Sequence, residues 1–138
     1  MRQQIPNIIT LLNLFLGCLA IVSCFQFGTV ASISESGEML IEIPEKLYLA
    51  SLFIGLAAVV DFLDGYVARL LNVPSEMGKQ LDSLADVVSF GVAPACIVYQ
   101  FLRLALANDV NALATSSWLF APAFIIPMAG AYRLARFN

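Results

Sequence analysis

The chain has no histidine, only three cysteines and few charges of either sign. Each shortage excludes something. Without histidine or a CxxC pair there is no ligand set for zinc. Cys18, Cys24 and Cys96 are odd in number and fall in apolar stretches, so they form no disulfide framework and read as small packing residues. Charged residues are 12% of the 138 positions, against roughly 25% in a soluble domain, too few to coat a compact body in water. Seven Lys/Arg against ten Asp/Glu leave a net charge of −3 and no basic stripe, which excludes a nucleic-acid partner. No internal repeat is present, and the length suits one domain, 1–138.

What is abundant is apolar surface. Hydrophobic residues reach 60%, which excludes a disordered chain and points to lipid as the solvent. No formal charge occurs over residues 3–34, 47–60, 87–102 or 110–132. A helix needs about 20 apolar residues, at ~1.5 Å rise each, to cross ~30 Å of hydrocarbon. The first and last windows meet that length alone. The middle two meet it only if they continue through Asp61, Asp64 and Arg69, and through Asp82 and Asp86. The expected fold is therefore an all-α, polytopic transmembrane helix bundle with four spans, at about 5–27, 46–71, 81–107 and 117–136. The first stretch is longer than the ~7–15 apolar residues of a cleaved signal and contains Asn7, Thr10 and Asn13, so it reads as a retained helix. Pro6 suits its first turn.

Four spans put both termini on one side. That side carries Arg2, Arg69, Lys79, Arg133 and Arg136, five of the seven basic residues. Lys/Arg excess marks the cytoplasmic face, so a multi-pass protein of the cell membrane is expected, with both termini and the 72–80 loop in the cytoplasm. The segment 32–45, with Glu35, Glu38, Glu42 and Glu45, reads as an ordinary outer loop.

The intramembrane acids carry the chemistry. Asp61 and Asp64 are spaced i,i+3, and Asp82 and Asp86 i,i+4, so each pair lies on one helix face. A short loop joins the two helices, which brings both pairs to the same membrane boundary. Each such Asp costs about 2.5–3.5 kcal/mol to insert, before mutual repulsion is counted. Something must neutralise them, and Arg69 is the cation nearby. All-oxygen ligands favour hard cations, Mg²⁺ or Mn²⁺, and four carboxylates suffice for two ions that clamp a phosphoryl group. An Asp–Arg structural network, or a divalent-cation transporter using the same acids, is the competing account.

Asp61, Asp64, Gly65, Ala68, Arg69, Gly78, Asp82 and Asp86 together fit the pattern D-x2-D-G-x2-A-R-x8-G-x3-D-x3-D across 26 residues. This resembles the complete signature of the CDP-alcohol phosphotransferase family, integral membrane enzymes that move a substituted phosphate from a CDP-linked donor to an alcohol and release CMP. The resemblance implies Asp61, Asp64, Asp82 and Asp86 as ligands of two divalent cations, with Asp86 also the catalytic base. It implies Asp64, Gly65, Ala68, Arg69 and Gly78 around the nucleotide. The small residues leave room for a flat cytosine, and Arg69 can grip a phosphate through two donors. Asn7 and Thr10 are expected near the donor phosphates, with helix capping as the simpler account.

Three further segments resemble the branch of that family whose acceptor is L-serine: the run from Pro6 to Asn13, the run from Ser89 to Pro94, and the closing Arg133-Leu-Ala-Arg136-Phe-Asn138. The implied reaction joins CDP-diacylglycerol and L-serine, with glycerol 3-phosphate or an inositol phosphate as alternative acceptors. Arg133 and Arg136 are expected to meet the acceptor's carboxylate, or else to anchor a helix end at the interface. Ser89 is expected to line the acceptor pocket or to bond within its own helix. The resemblance also implies a homodimer in the membrane. Family members usually have a six-helix core, so a chain with four spans is expected to lack the C-terminal helices.

Overall fold

The computed structural model describes residues 4–26, 31–33, 39–41, 45–71, 76–106 and 117–137. Arg2, Glu35, Glu38, Glu42, Asp109, Asn138 and the loop residues 72–75 lie outside them. Four helices are long and apolar enough to cross a membrane: Gln4–Phe25, Glu45–Leu71, Glu76–Leu106 and Trp118–Phe137. The expected helical membrane bundle is therefore found. The third span begins earlier than its charge-free window suggested. Glu76 and Lys79 are exposed on its first turns, which lets an amphipathic stretch extend the apolar one.

The first span is α1 (Gln4–Phe25) and the second α2 (Glu45–Leu71). The connection between them is more than a loop: Ala31–Ile33 (β1) and Met39–Ile41 (β2) pair antiparallel, with Ser32 opposite Leu40. The buried stripe of α1 is Pro6, Thr10, Asn13, Gly17, Ala20 and Cys24, a spacing of four and three that keeps one face inward. Its opposite side, with Ile8, Leu12, Phe15 and Val22, is left to lipid. In α2 the buried residues are Leu47, Ala50, Ala57 and Asp64. Small residues on both faces let these backbones approach closely, the usual basis of helix association in lipid, where burial of apolar surface supplies no drive.

The third span is not one continuous α-helix. It comprises α3 (Glu76–Asp86), a π-helical turn (Val87–Val92) and α4 (Ala93–Leu106). The N–H of Ala93 bonds the carbonyl of Val88, five residues back. Pro94 explains the change of winding, because it has no N–H for the carbonyl of Phe90 and its ring crowds that carbonyl. The fourth span starts as a 3₁₀ segment (Ser117–Phe124) that contains Pro122, and continues as α5 (Ile125–Phe137).

Helix α1 is the centre of the assembly, packing against α2, α3, the π turn and α4. Cys24, Leu47, Ala50 and Cys96 form one apolar cluster, in which two of the three thiols act as small core side chains. The fourth span lies against the third in antiparallel register. Tyr99 meets the rings of Phe120 and Phe124 at 5.1 and 6.2 Å, whereas the earlier Gly91 meets the later Pro127. A Cβ at Gly91 would come within 3.2 Å of the Pro127 backbone, so any larger residue there would have to push the fourth span back by a few tenths of an ångström.

Candidate active site

The acids of α2 and α3 do converge. One carboxylate oxygen from each of Asp61, Asp82 and Asp86 lies within 4.8 Å of the other two, and all three residues are half-buried. The i,i+4 spacing brings Asp82 and Asp86 onto one face of α3. The closing turns of α2 carry Asp61 to meet them. Asp64 is placed differently. It is 6% exposed and accepts a hydrogen bond from the Thr10 hydroxyl of α1, which also lies 3.0 Å from the Pro6 carbonyl. The structure thus joins three of the four acids in one oxygen cluster, and turns the fourth toward α1.

Anions this close in an apolar bundle repel one another strongly, because the low dielectric does little to screen them. Arg69 does not relieve this. It is exposed, and among the described residues it forms no ion pair. The cluster also has an unused acceptor: Asp86 Oδ1 is buried with no hydrogen-bond partner. Three hard oxygen donors with an unpaired buried lone pair, and no His or Cys among them, fit a divalent cation such as Mg²⁺ or Mn²⁺.

Around this cluster the remaining motif residues take up distinct positions. Gly65 lies on an open face of α2, where an added Cβ would meet nothing within 4 Å. Ala68 is half-buried one turn on, and Arg69 projects outward beside it. Gly78 is half-buried on α3. A flat ligand therefore has room along α2 at Gly65, next to the exposed Arg69 guanidinium and the carboxylate cluster. Asn7 is half-buried one turn before Thr10.

Ser89 is fully buried in the π turn, and its hydroxyl donates to the Asn13 carbonyl of α1 at 3.1 Å. It bonds a neighbouring helix instead of its own, and it does so because Gly17 leaves space. A Cβ at Gly17 would stand 2.9 Å from the Ser89 backbone. Arg133 and Arg136 are exposed on α5. From the Gly91–Pro127 contact, Arg133 lies about 9 Å along its helix and Asp86 about 7 Å back along the third span, so the two reach similar depth.

One residue of the site went unassigned on sequence grounds. Asn13 is 1% exposed in the middle of α1, its carboxamide next to the Asp86 carboxylate but with neither amide atom in full hydrogen-bond geometry. A signal did exist, since Asn13 follows Thr10 by one helical turn within a window free of charge.

These features define a polytopic helical membrane protein in which three carboxylates cluster beside an open helix face. The chain matches the family model described as CDP-alcohol phosphatidyltransferase over residues 3–138, and it belongs to that family. It is 41% identical over 135 residues to the CDP-diacylglycerol–serine O-phosphatidyltransferase of Saccharomyces cerevisiae, covering 98% of this chain and 41% of the relative. The Helicobacter pylori (strain J99) protein of the same name is 37% identical over 135 residues, 96% of this chain and 45% of that one. The Methanocaldococcus jannaschii protein of that name is 46% identical over 83 residues, 60% of this chain and 35% of its own length. The chain thus spans less than half the length of these curated relatives. No solved structure matches it. Nothing in these names supports a cation transporter.

Proposed function

We propose that this chain, as one membrane domain over 1–138, transfers the phosphatidyl group of CDP-diacylglycerol to the hydroxyl of L-serine, giving phosphatidylserine and CMP. The observation that carries the reading is the convergence of Asp61, Asp82 and Asp86 within 4.8 Å, on the motif shared with the family. Serine as the acceptor is supported by the names of the relatives.

Asp61, Asp82 and Asp86, with Asp64 beside them, would hold two divalent cations, Mg²⁺ or Mn²⁺. When bound, these offset the charge of the donor pyrophosphate and of the CMP that leaves. Gly65, Ala68 and Gly78 leave the helix surfaces bare for the cytosine, and Arg69 binds phosphate oxygens from the open side. Asn7 and Thr10 face the donor phosphates, Thr10 through its contact with Asp64. Arg133 and Arg136 take the serine carboxylate, while Ser89 holds the third span to α1 through the Asn13 carbonyl. Asp86 removes the proton from the serine hydroxyl as that oxygen bonds to the diacylglycerol-linked phosphorus. The bond from that phosphorus to the CMP oxygen breaks, and CMP departs with the electron pair. The acyl chains stay in the bilayer throughout. The Lys/Arg bias supports putting this chemistry, and both termini, on the cytoplasmic face, and the family resemblance supports a homodimer.

The test is acceptor competition. The whole chain in vesicles containing CDP-diacylglycerol and Mn²⁺ is given radiolabelled serine or radiolabelled glycerol 3-phosphate. Label entering lipid from serine supports the reading. Label from glycerol 3-phosphate and none from serine would reassign the acceptor.

A further inference from the structure

We propose that Asn13 is a positioning residue of the acidic cluster: its carboxamide donates a hydrogen bond to the Asp86 carboxylate and fixes which oxygen faces Asp61 and Asp82. The proposal rests on reading that cluster as a divalent-cation site.

Four observations lead there. First, among the described residues the buried side-chain atoms without a hydrogen-bond partner are Asn13 Nδ2, Asn13 Oδ1 and Asp86 Oδ1, and these two side chains are neighbours. Native interiors seldom leave such groups unpaired, and where they do the place is commonly functional. The other buried side-chain polar atoms among the described residues are matched. Ser23 bonds the Leu19 carbonyl at 2.8 Å, and Gln100 bonds the Cys24 carbonyl at 2.7 Å. Second, the backbone of Asn13 is fixed to the turn that follows Asp86 by the Ser89 hydroxyl, 3.1 Å from the Asn13 carbonyl. The separation of the two side chains is therefore set by a direct tie, and Gly17 one turn further on allows the approach.

Third, Thr10 and Asn13 are three residues apart on the buried stripe of α1. Thr10 donates to Asp64, of the α2 pair, and Asn13 lies beside Asp86, of the α3 pair. One helix face thus meets both pairs. Fourth, the chemistry suits the task. A neutral amide can orient a carboxylate without cancelling its charge, as an arginine would, and so leaves that charge for a cation.

The experiment measures Mn²⁺ affinity by the electron paramagnetic resonance signal of free Mn²⁺, on the whole chain in detergent. The variant Asn13→Leu keeps approximate volume and removes the polar atoms. Its Mn²⁺ binding should weaken about tenfold, the usual loss when a group orienting a metal ligand is removed. Its thermal midpoint in EDTA should be unchanged or higher. Mn²⁺ affinity within twofold of wild type in the folded variant would overturn the proposal, as would a wild-type chain that binds no Mn²⁺. Should Asn13→Leu not fold, Asn13→Ser and Asn13→Ala replace it. The serine hydroxyl keeps a donor, so the Ser variant should bind Mn²⁺ several-fold more tightly than the Ala variant, and equal affinities contradict the idea. Failure of the serine-transfer reading looks different: Mn²⁺ affinity would still drop tenfold in Asn13→Leu, while wild type would put no label from serine into lipid.

Discussion

The two ends of the helix bundle are built from the same helices and treat polar groups in opposite ways. At the end where α1 closes, no buried side-chain polar atom among the described residues is left without a counterpart. Gln100 of α4 donates to the Cys24 carbonyl at 2.7 Å, which satisfies a terminal carbonyl that the helix itself leaves open. Lys46 reaches the Gln26 carbonyl at 3.2 Å, and Arg103 lies 5.9 Å from the centre of the Tyr99 ring. At the other end three carboxylates crowd together, an asparagine is buried with both amide atoms unbonded, and an arginine stands unpaired among the described residues. Leaving one buried polar group unmatched costs about 1–3 kcal/mol. The difference teaches that the Gln100 end is finished by the chain itself. On the function proposed above, the aspartate end is left for a bound cation and nucleotide to finish.

The largest effect should come from Asp86→Asn. Losing the general base should lower turnover by about 10³-fold, within the span that such groups contribute. CDP should still stabilise the protein against heat, because Asp61, Asp64 and Asp82 remain. Turnover within tenfold of wild type would remove Asp86 from that role. Next comes Gly17→Leu, which forces a side chain into the space held by the Ser89 backbone. Overpacking of this kind should destabilise the bundle by about 1–3 kcal/mol, read as a lower thermal midpoint, and should lower Mn²⁺ affinity as the third span shifts. An unchanged midpoint would show that the α1 contact is looser than described. The smallest effect sharpens the contrast most. Gln100→Leu should cost about 1 kcal/mol of stability by leaving the Cys24 carbonyl unmatched, with Mn²⁺ affinity unchanged. Asn13→Leu should do the reverse. A loss of Mn²⁺ binding in Gln100→Leu would erase the distinction between the ends.

Much of this was legible in the sequence, for definite reasons. The four spans followed from charge-free windows, because a bilayer enforces long uninterrupted helices. Both acid pairs followed from helical spacing, and the family from eight residues at fixed intervals. Other features depend on register between helices, which spacing within one helix does not specify. Nothing in the run from Ser89 to Pro94 announced that the serine would bond α1, since that depends on Gly17 lying opposite. The π turn could be traced to Pro94 only once the surrounding helix was seen to continue. The tie between Thr10 and Asp64 turns the fourth acid toward α1 and out of the tight three-oxygen cluster, although all four look equivalent in sequence. The antiparallel pairing of β1 and β2 was hidden because the strands are three residues each, too short for alternation to show.

The most direct measurement is thermal unfolding of the whole chain with CDP, in Mn²⁺ and then in EDTA. If the aspartate end is completed by a dication and a cytidine nucleotide, CDP should raise the midpoint in Mn²⁺ and leave it unchanged in EDTA. The Mn²⁺-dependent rise should vanish in Asp61→Asn combined with Asp82→Asn. A CDP shift of equal size in EDTA, or no shift under either condition, would contradict the account.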